Sequence, residues 1–257
     1  MPAFLETVIQ LDFGAVPTVR SRGGHWESAH AMSVVGPHTF AGTGLHLAGS
    51  IDSFAIFLQP AALRSLFRVP VSAVMETHAE AADVLQAPVA ELWDALAETT
   101  DFTRRVRLAE AFLIRHASPD ADDSPSTAAA ELLTRRGGRV GIVELASRLH
   151  LSVRQLERDF GRDLGITPKR FARVARFQSA LDTRVRMPHR SWTDIAAEAG
   201  YFDQMHLVHD FRSFGGLAPT LTLERLGDSR PAALAASTAP GQRPTVEAHA
   251  RLSTVDR

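Results

Sequence analysis

The stretch "AGYFDQMHLVHDFRSFGG", Ala199 to Gly216, decides how the second half of this 257-residue chain folds. Asp203 is a good helix N-cap, because a short carboxylate accepts from the free amides of a first helical turn. Leu207 and Phe211 follow at i, i+4 spacing, and Gly215–Gly216 end the helix. Gln204, His206 and His209 fall on the outer side. Folding does not call for hydrogen-bonding groups there, so the question is what that face meets.

An earlier segment has the same layout. In "ELASRLHLSVRQLERDF" (Glu144 to Phe160), Ala146 stands four residues before His150, as Ala196 stands four before Gly200. Ser152 precedes Phe160 by eight residues, as Asp203 precedes Phe211, and Leu156 and Leu207 share a core position. The second copy has one extra turn residue. Each copy is a short helix, a tight turn and a longer helix, which is a helix-turn-helix. Ser152 with Gln155 forms a capping-box pattern that fixes where the longer helix begins. Between the copies, "TPKRFARVARFQSALDTRV" (Thr167 to Val185) has a capping Thr, Pro at the first helical position, and a stripe of Phe171, Val174, Phe177 and Leu181. Such a rod holds two motifs at a fixed distance. Motifs on one side of a duplex must meet major-groove windows about 34 Å apart.

Charge divides along the same line. Residues 1–126 contain 8 Arg and no Lys against 15 acids, a net −7. Residues 127–227 contain 15 Arg and Lys169 against 11 acids, a net +5, and the last thirty residues add +1. An acidic front half and an Arg-dominated back half point to a polyanion partner for the latter. The chain has no cysteine, which excludes disulfides, zinc–thiolate sites and thiol catalysis. Its start, "MPAFLETVIQLDFG", lacks the pattern of a signal peptide, and no apolar run approaches the roughly 20 residues of a membrane span. A cytoplasmic location, without membrane contact, is the expectation.

Up to about Pro60 the front half reads as short strands: "ETVIQLDF", "HAMSVVG", "TGLHLAGSI" and "SFAIFLQP". Helical periods follow in "PAALRSLF", "PVAELWDALAET" and "RRVRLAEAFLIRH", the last with a stripe of Val106, Ala109, Leu113 and His116. "SPDADDSPST" (118–127) reads as a linker, and the Pro/Ser/Thr-rich 227–257 as a mostly disordered tail. The expected class is α+β: residues 1–117 with strands then helices, and an all-α unit over 128–226. Helices around Leu92–Leu96 and Val106–Leu113 are the expected site of homodimerisation.

"IVELASRLHLSVRQLERDFGRDLGITPKRFARVARFQSAL" followed by "SWTDIAAEAGYFDQMHLVHDFRSFGGLAPTLTL" resembles the DNA-binding domain of AraC-type transcriptional regulators. The front half resembles, more weakly, the degenerate cupin-like sensor domain of such regulators. The resemblance implies a sequence-specific bacterial regulator that is not an enzyme. Its partners would be promoter DNA, RNA polymerase, a second copy and a small-molecule effector, and it would sit on the nucleoid when bound. By family position, Arg154, Glu157 and Arg158 of the first copy point into the groove, as do Gln204, Met205, His206, Val208 and His209 of the second. Arg suits guanine, Glu cytosine and Gln adenine, and Met205 or Val208 can meet a thymine methyl. Arg162, Lys169, Arg170 and Arg212 are assigned to phosphate. Two departures from the pattern stand out. His150 occupies a turn position that is usually Gly, and Gly161 interrupts the first long helix, each at up to about 1 kcal/mol.

Other clusters are plainer. His25, His30, His38 and His46 are scattered without metal-ligand spacing, and Asp120, Asp122 and Asp123 lack a calcium-loop pattern, so no metal or cofactor is expected. Trp26 and Glu27, in "GGHWE", are candidates to line an effector pocket. Two alternatives remain: a cupin-like enzyme or isomerase carrying a DNA-binding appendage, and a regulator whose front domain only oligomerises.

Overall fold

A computed structural model describes residues 1–20, 24–86, 88–117 and 124–226. The expected tail and positions 118–123 of the expected linker lie outside these.

The front half is built on two antiparallel sheets. Strands β1 (Thr7–Asp12), β4 (Met32–Val35), β6 (Ser53–Leu58) and β7 (His78–Glu80) form one, in the order β6-β1-β4-β7. Strands β2 (Thr18–Arg20), β3 (Glu27–Ser28) and β5 (Gly44–His46) form the other, ordered β3-β2-β5. Central β1 is buried nearly throughout, with Ile9 and Leu11 fully covered, so it reads as a continuous apolar run. Strand β7 lies beyond the Pro60 boundary read from sequence. Its three residues have no apolar alternation, and pairing with the edge of β4 is what makes them a strand.

Helices α1 (Ala62–Phe67), α2 (Ala81–Leu85), α3 (Val89–Ala97) and α4 (Phe102–His116) follow, with a 3-10 turn at Val71–Ala73. The buried face of α4 differs from the stripe expected: Arg105, Ala109 and Phe112 point inward, and Val106 and Leu113 are half-buried. An arginine takes the core position because its donors are satisfied there. Its Nε donates to the Leu96 and Thr99 carbonyls, and its fork grips Asp52 at 2.6 and 3.1 Å. Leu92 and Leu96 are also spent on the chain's own core.

The back half is all helical: α5 (Pro125–Arg135), α6 (Ile142–Arg148), α7 (Val153–Leu164), α8 (Pro168–Arg186), α9 (Trp192–Glu198), α10 (Gln204–Gly215) and α11 (Pro219–Leu226). It begins inside the expected linker, because Ser124 caps α5 and Pro125 takes its first position. The rod α8 buries Phe171, Val174, Phe177 and Leu181 as its stripe requires. Phe171 meets Phe160 of α7 edge-on at 5.3 Å, and Phe177 meets Phe211 of α10 at 4.8 Å. One phenylalanine of the rod thus anchors each long helix. Gly138, at φ 68°, lets the α5–α6 turn close on α8: a Cβ there would stand 1.9 Å from the Ala172 carbonyl oxygen.

Polar contacts join the two halves beside an apolar cluster that runs through both. The Ala3 and Ala41 amides donate to Phe214 O (2.7 Å) and Ser213 O (3.4 Å) in the last turn of α10. The Ser72 hydroxyl donates to Arg162 O near the end of α7 (2.7 Å). Arg64 pairs with buried Asp163 at 2.7 Å. Arg170 donates to Thr39 O at 2.7 Å, and the Gln178 amide donates to Glu6 at 2.9 Å. Burial tends to raise the Asp163 carboxyl, but hydrogen bonds from Arg162 and Ser126 and the Arg64 charge hold it below its ordinary value.

Two predictions follow from this packing. Gly161 lies inside α7 with open space where a Cβ would go. Gly161→Ala should therefore stabilise the protein by about 0.5–1 kcal/mol, seen as a higher midpoint in thermal unfolding. Glu6 is 3% exposed, and burial pushes its carboxyl above the ordinary 4.5. A raised carboxyl contributes stability that is fully present below the ordinary value and lost as pH rises through the folded one. Glu6→Gln keeps the acceptor for Gln178 without the charge. It should raise the melting midpoint at pH 8, by roughly 2–4 °C per kcal/mol recovered, and make little difference at pH 4. An equal effect at both pH values would show that Glu6 is not the cause.

Candidate DNA-binding surface

In the first motif, α7 begins at the capping box expected for it. The Ser152 hydroxyl accepts from the Gln155 amide at 3.2 Å, and the Gln155 side chain accepts from the Ser152 amide at 3.0 Å. Leu156, Phe160 and Leu164 face the core. Arg154, Glu157 and Arg158 all project into solvent, and Arg154 and Glu157 make no ion pair among the described residues. Arg158 touches Asp159 at 3.3 Å but stays 69% exposed. The departure at His150 takes the form expected: its φ is 55°, matching the 74° of Gly200 in the second turn.

In the second motif, Asp203 Oδ1 accepts from the His206 amide at 2.7 Å, and Leu207 and Phe211 are fully buried. Gln204, Met205, His206 and His209 are exposed, and Val208 is half-buried. The Thr193 hydroxyl of α9 donates to Gln204 Oε1 at 3.0 Å. That tether occupies one lone pair of the oxygen and limits how the amide can turn. Below it, Arg173 bonds the fully buried Asp210 at 2.6 Å. Burial, then the neighbouring Asp210 charge, pushes the Tyr201 phenol far above its ordinary value, so it stays neutral. The outer face of α10 thus lies over the Arg173–Asp210 pair and a neutral phenol.

The phosphate candidates separate into two groups. Lys169 and Arg212 are exposed. Arg162 is exposed too, but its guanidinium is held by Asp163 (2.9 and 3.0 Å) and Asp159 (3.1 Å). Arg170 is half-buried at the contact with the front half, over the Phe214 ring at 5.4 Å. Sequence periodicity places these two on outer faces, but it carries no signal of the partners that occupy them.

His25, His30, His38 and His46 do not come together. His38 is buried, stacked on Phe4 at 5.2 Å, and His30 stacks on His78 at 6.0 Å. His46 lies beside Trp26, and His25 is exposed. Sequence reasoning missed Thr193 as a positioning residue, and it missed Phe202. The latter is 93% exposed at the mouth of the second turn. Its only signal in the sequence is the extra turn residue.

Residues 145–225 match a helix-turn-helix domain family, the AraC type. No curated protein sequence matches the chain. Its fold is similar to that of ToxT from Vibrio cholerae. An apo point variant superposes with a TM-score of 0.51, and a structure bound to (E)-4-(8-methylnaphthalen-1-yl)but-3-enoic acid with 0.50. Each is 12% identical and covers 88% of this chain and 92% of its own. The likeness covers strands, helices and both motifs together, which is the α+β arrangement described above. Residues 145–225 thus form a helix-turn-helix domain of the AraC type.

Proposed function

We propose that this chain reads promoter DNA through Arg154, Glu157 and Arg158 of α7 and Gln204, Met205, His206, Val208 and His209 of α10, under control of an anionic small molecule. One observation carries the reading: both long helices bury one face on α8 and leave polar first turns open. Lys169 and Arg212 serve phosphate, whereas Arg162 and Arg170 reach it only by giving up their present partners. RNA polymerase and a second copy complete the set of partners. Because Leu92, Leu96 and Ala109 are buried in the chain's own core, the dimer contact falls on the outer side of α4, where Ile114 is 76% exposed.

Effector control is supported by a cavity of about 420 Å³ between the halves. Arg20, Thr43 and Gly44 line it from the front, and Gly216, Thr222 and Arg225 from the back. Its lining has two guanidinium groups and no acid, and the buried Thr43 hydroxyl has no hydrogen-bond partner among the described residues. Trp26, a candidate from the sequence to line an effector pocket, is not among the lining residues; it packs behind them on Gly44, and Arg20 lies over its ring at 5.0 Å. Glu27 is exposed on β3. A carboxylate suits this site, and the ToxT ligand named above is a carboxylic acid. The cavity reaches Gly216, the C-cap of α10, so an occupant touches the end of a reading helix.

Two measurements test the reading. On duplexes selected by the full chain from a random pool, Gln204→Ala should cost about 1–3 kcal/mol and relax preference at one base pair. Arg212→Ala should weaken binding to all duplexes alike and lower the salt slope by about one. Wild-type behaviour of Gln204→Ala on every variant site would remove it from base reading. Calorimetry with the butenoic acid above should show binding that Arg225→Ala weakens about tenfold or more, the value of a charge-assisted hydrogen bond. Equal binding of the corresponding amide would refute the anion site.

A further inference from the structure

We propose that Phe202 is a base-reading residue that contacts a thymine methyl group beside the base met by Gln204. The proposal rests on the DNA-binding reading of α10 and adds to it a residue outside the helix.

The two turns fix which residue is extra. The Leu151 amide donates to Ala146 O at 2.9 Å, and the Tyr201 amide donates to Ala196 O at 2.9 Å. Leu151 and Tyr201 are therefore equivalent, like His150 and Gly200 with their positive φ. Ser152, the cap of α7, follows Leu151 directly, whereas Phe202 intervenes between Tyr201 and the cap Asp203. The inserted residue is the phenylalanine.

Its exposure needs a reason. Tyr201 is 6% exposed and Phe202 is 93% exposed, so the insertion adds an apolar side chain that the fold does not bury. Its ring makes no contact with another ring among the described residues. Met205, three residues on, is 68% exposed, and Gln204 lies between them. The patch is thus continuous with the first turn of the reading helix, the part that a docked helix-turn-helix brings to base edges. In the major groove the apolar group offered by a base is the C5-methyl of thymine. A large apolar side chain at this point suits that methyl and not a phosphate.

The test uses the full chain and duplexes it selects from a random pool. Each thymine of the selected site is replaced in turn by uracil, which removes the methyl and leaves the hydrogen-bonding groups unchanged. Wild type should lose about fourfold in affinity at one thymine, the worth of one buried methyl group. Phe202→Ala should lose a similar factor on the parent duplex and show no further loss at that uracil. Phe202→Leu, which keeps an apolar side chain, should retain part of the effect. Unchanged melting of both variants shows that the fold is kept. A uracil effect of equal size in wild type and Phe202→Ala overturns the proposal, because independent groups add. So does a Phe202→Ala loss that is the same on all duplexes, which would place the ring against the backbone. Failure to select any duplex would instead refute the DNA-binding reading itself.

Discussion

The last carbonyls of an α-helix have no partner within it, and in this protein some of those partners come from another domain. Ala3 and Ala41 supply them to the end of α10, and Ser72 supplies one near the end of α7. Each helix also has a terminating glycine with positive φ, Gly165 and Gly216. Those glycines turn the chain away, and the front half takes up the carbonyls that remain. The same domain therefore holds both long helices from behind, while their first turns stay open. Spacing between the helices depends on the rod α8, and their seating depends on the front half.

The back half was legible in the sequence because its signals are local. Caps at Ser152, Thr167 and Asp203, the stripe along α8 and the repeat itself all follow from rules that act within four residues. The front half was legible in class but not in detail. Strand β7 exists by pairing alone, and Arg105 sits inward because Asp52 and two carbonyls from elsewhere in the chain accept from it. For the site, periodicity gave the outward faces of both helices. It did not give the tether from Thr193, nor the occupation of Arg162 and Arg170, because each depends on a residue the periodicity cannot bring near.

Charge counting needs the same correction. The 15 Arg and one Lys counted in the back half overstate the cations free to face a polyanion. Arg173 is spent on Asp210, Arg176 on the Gly138 carbonyl and the Tyr201 ring, and Arg184 on the Arg190 carbonyl and the Trp192 ring. Arg148 pairs with Glu144, and Arg190 with Glu198. Arginine here is largely a structural residue, stacked on aromatics and capping carbonyls, which its flat fork does better than lysine. Few of the described cations are left over, so under the proposed reading discrimination falls to base edges more than to bulk charge.

Under the proposed reading, the contact between the halves is where an effector would act. A ligand can shift an equilibrium only by the difference in its affinity for the two states. The polar part of the contact consists mostly of single hydrogen bonds, each worth about 1 kcal/mol net, with one partly exposed ion pair and one buried carboxyl that burial penalises. These polar contacts lie beside an apolar cluster that runs through both halves. An anion between Arg20 and Arg225 would bridge the halves directly. It would favour the docked arrangement without altering a residue that touches DNA, and the reading helices would feel it through their last carbonyls.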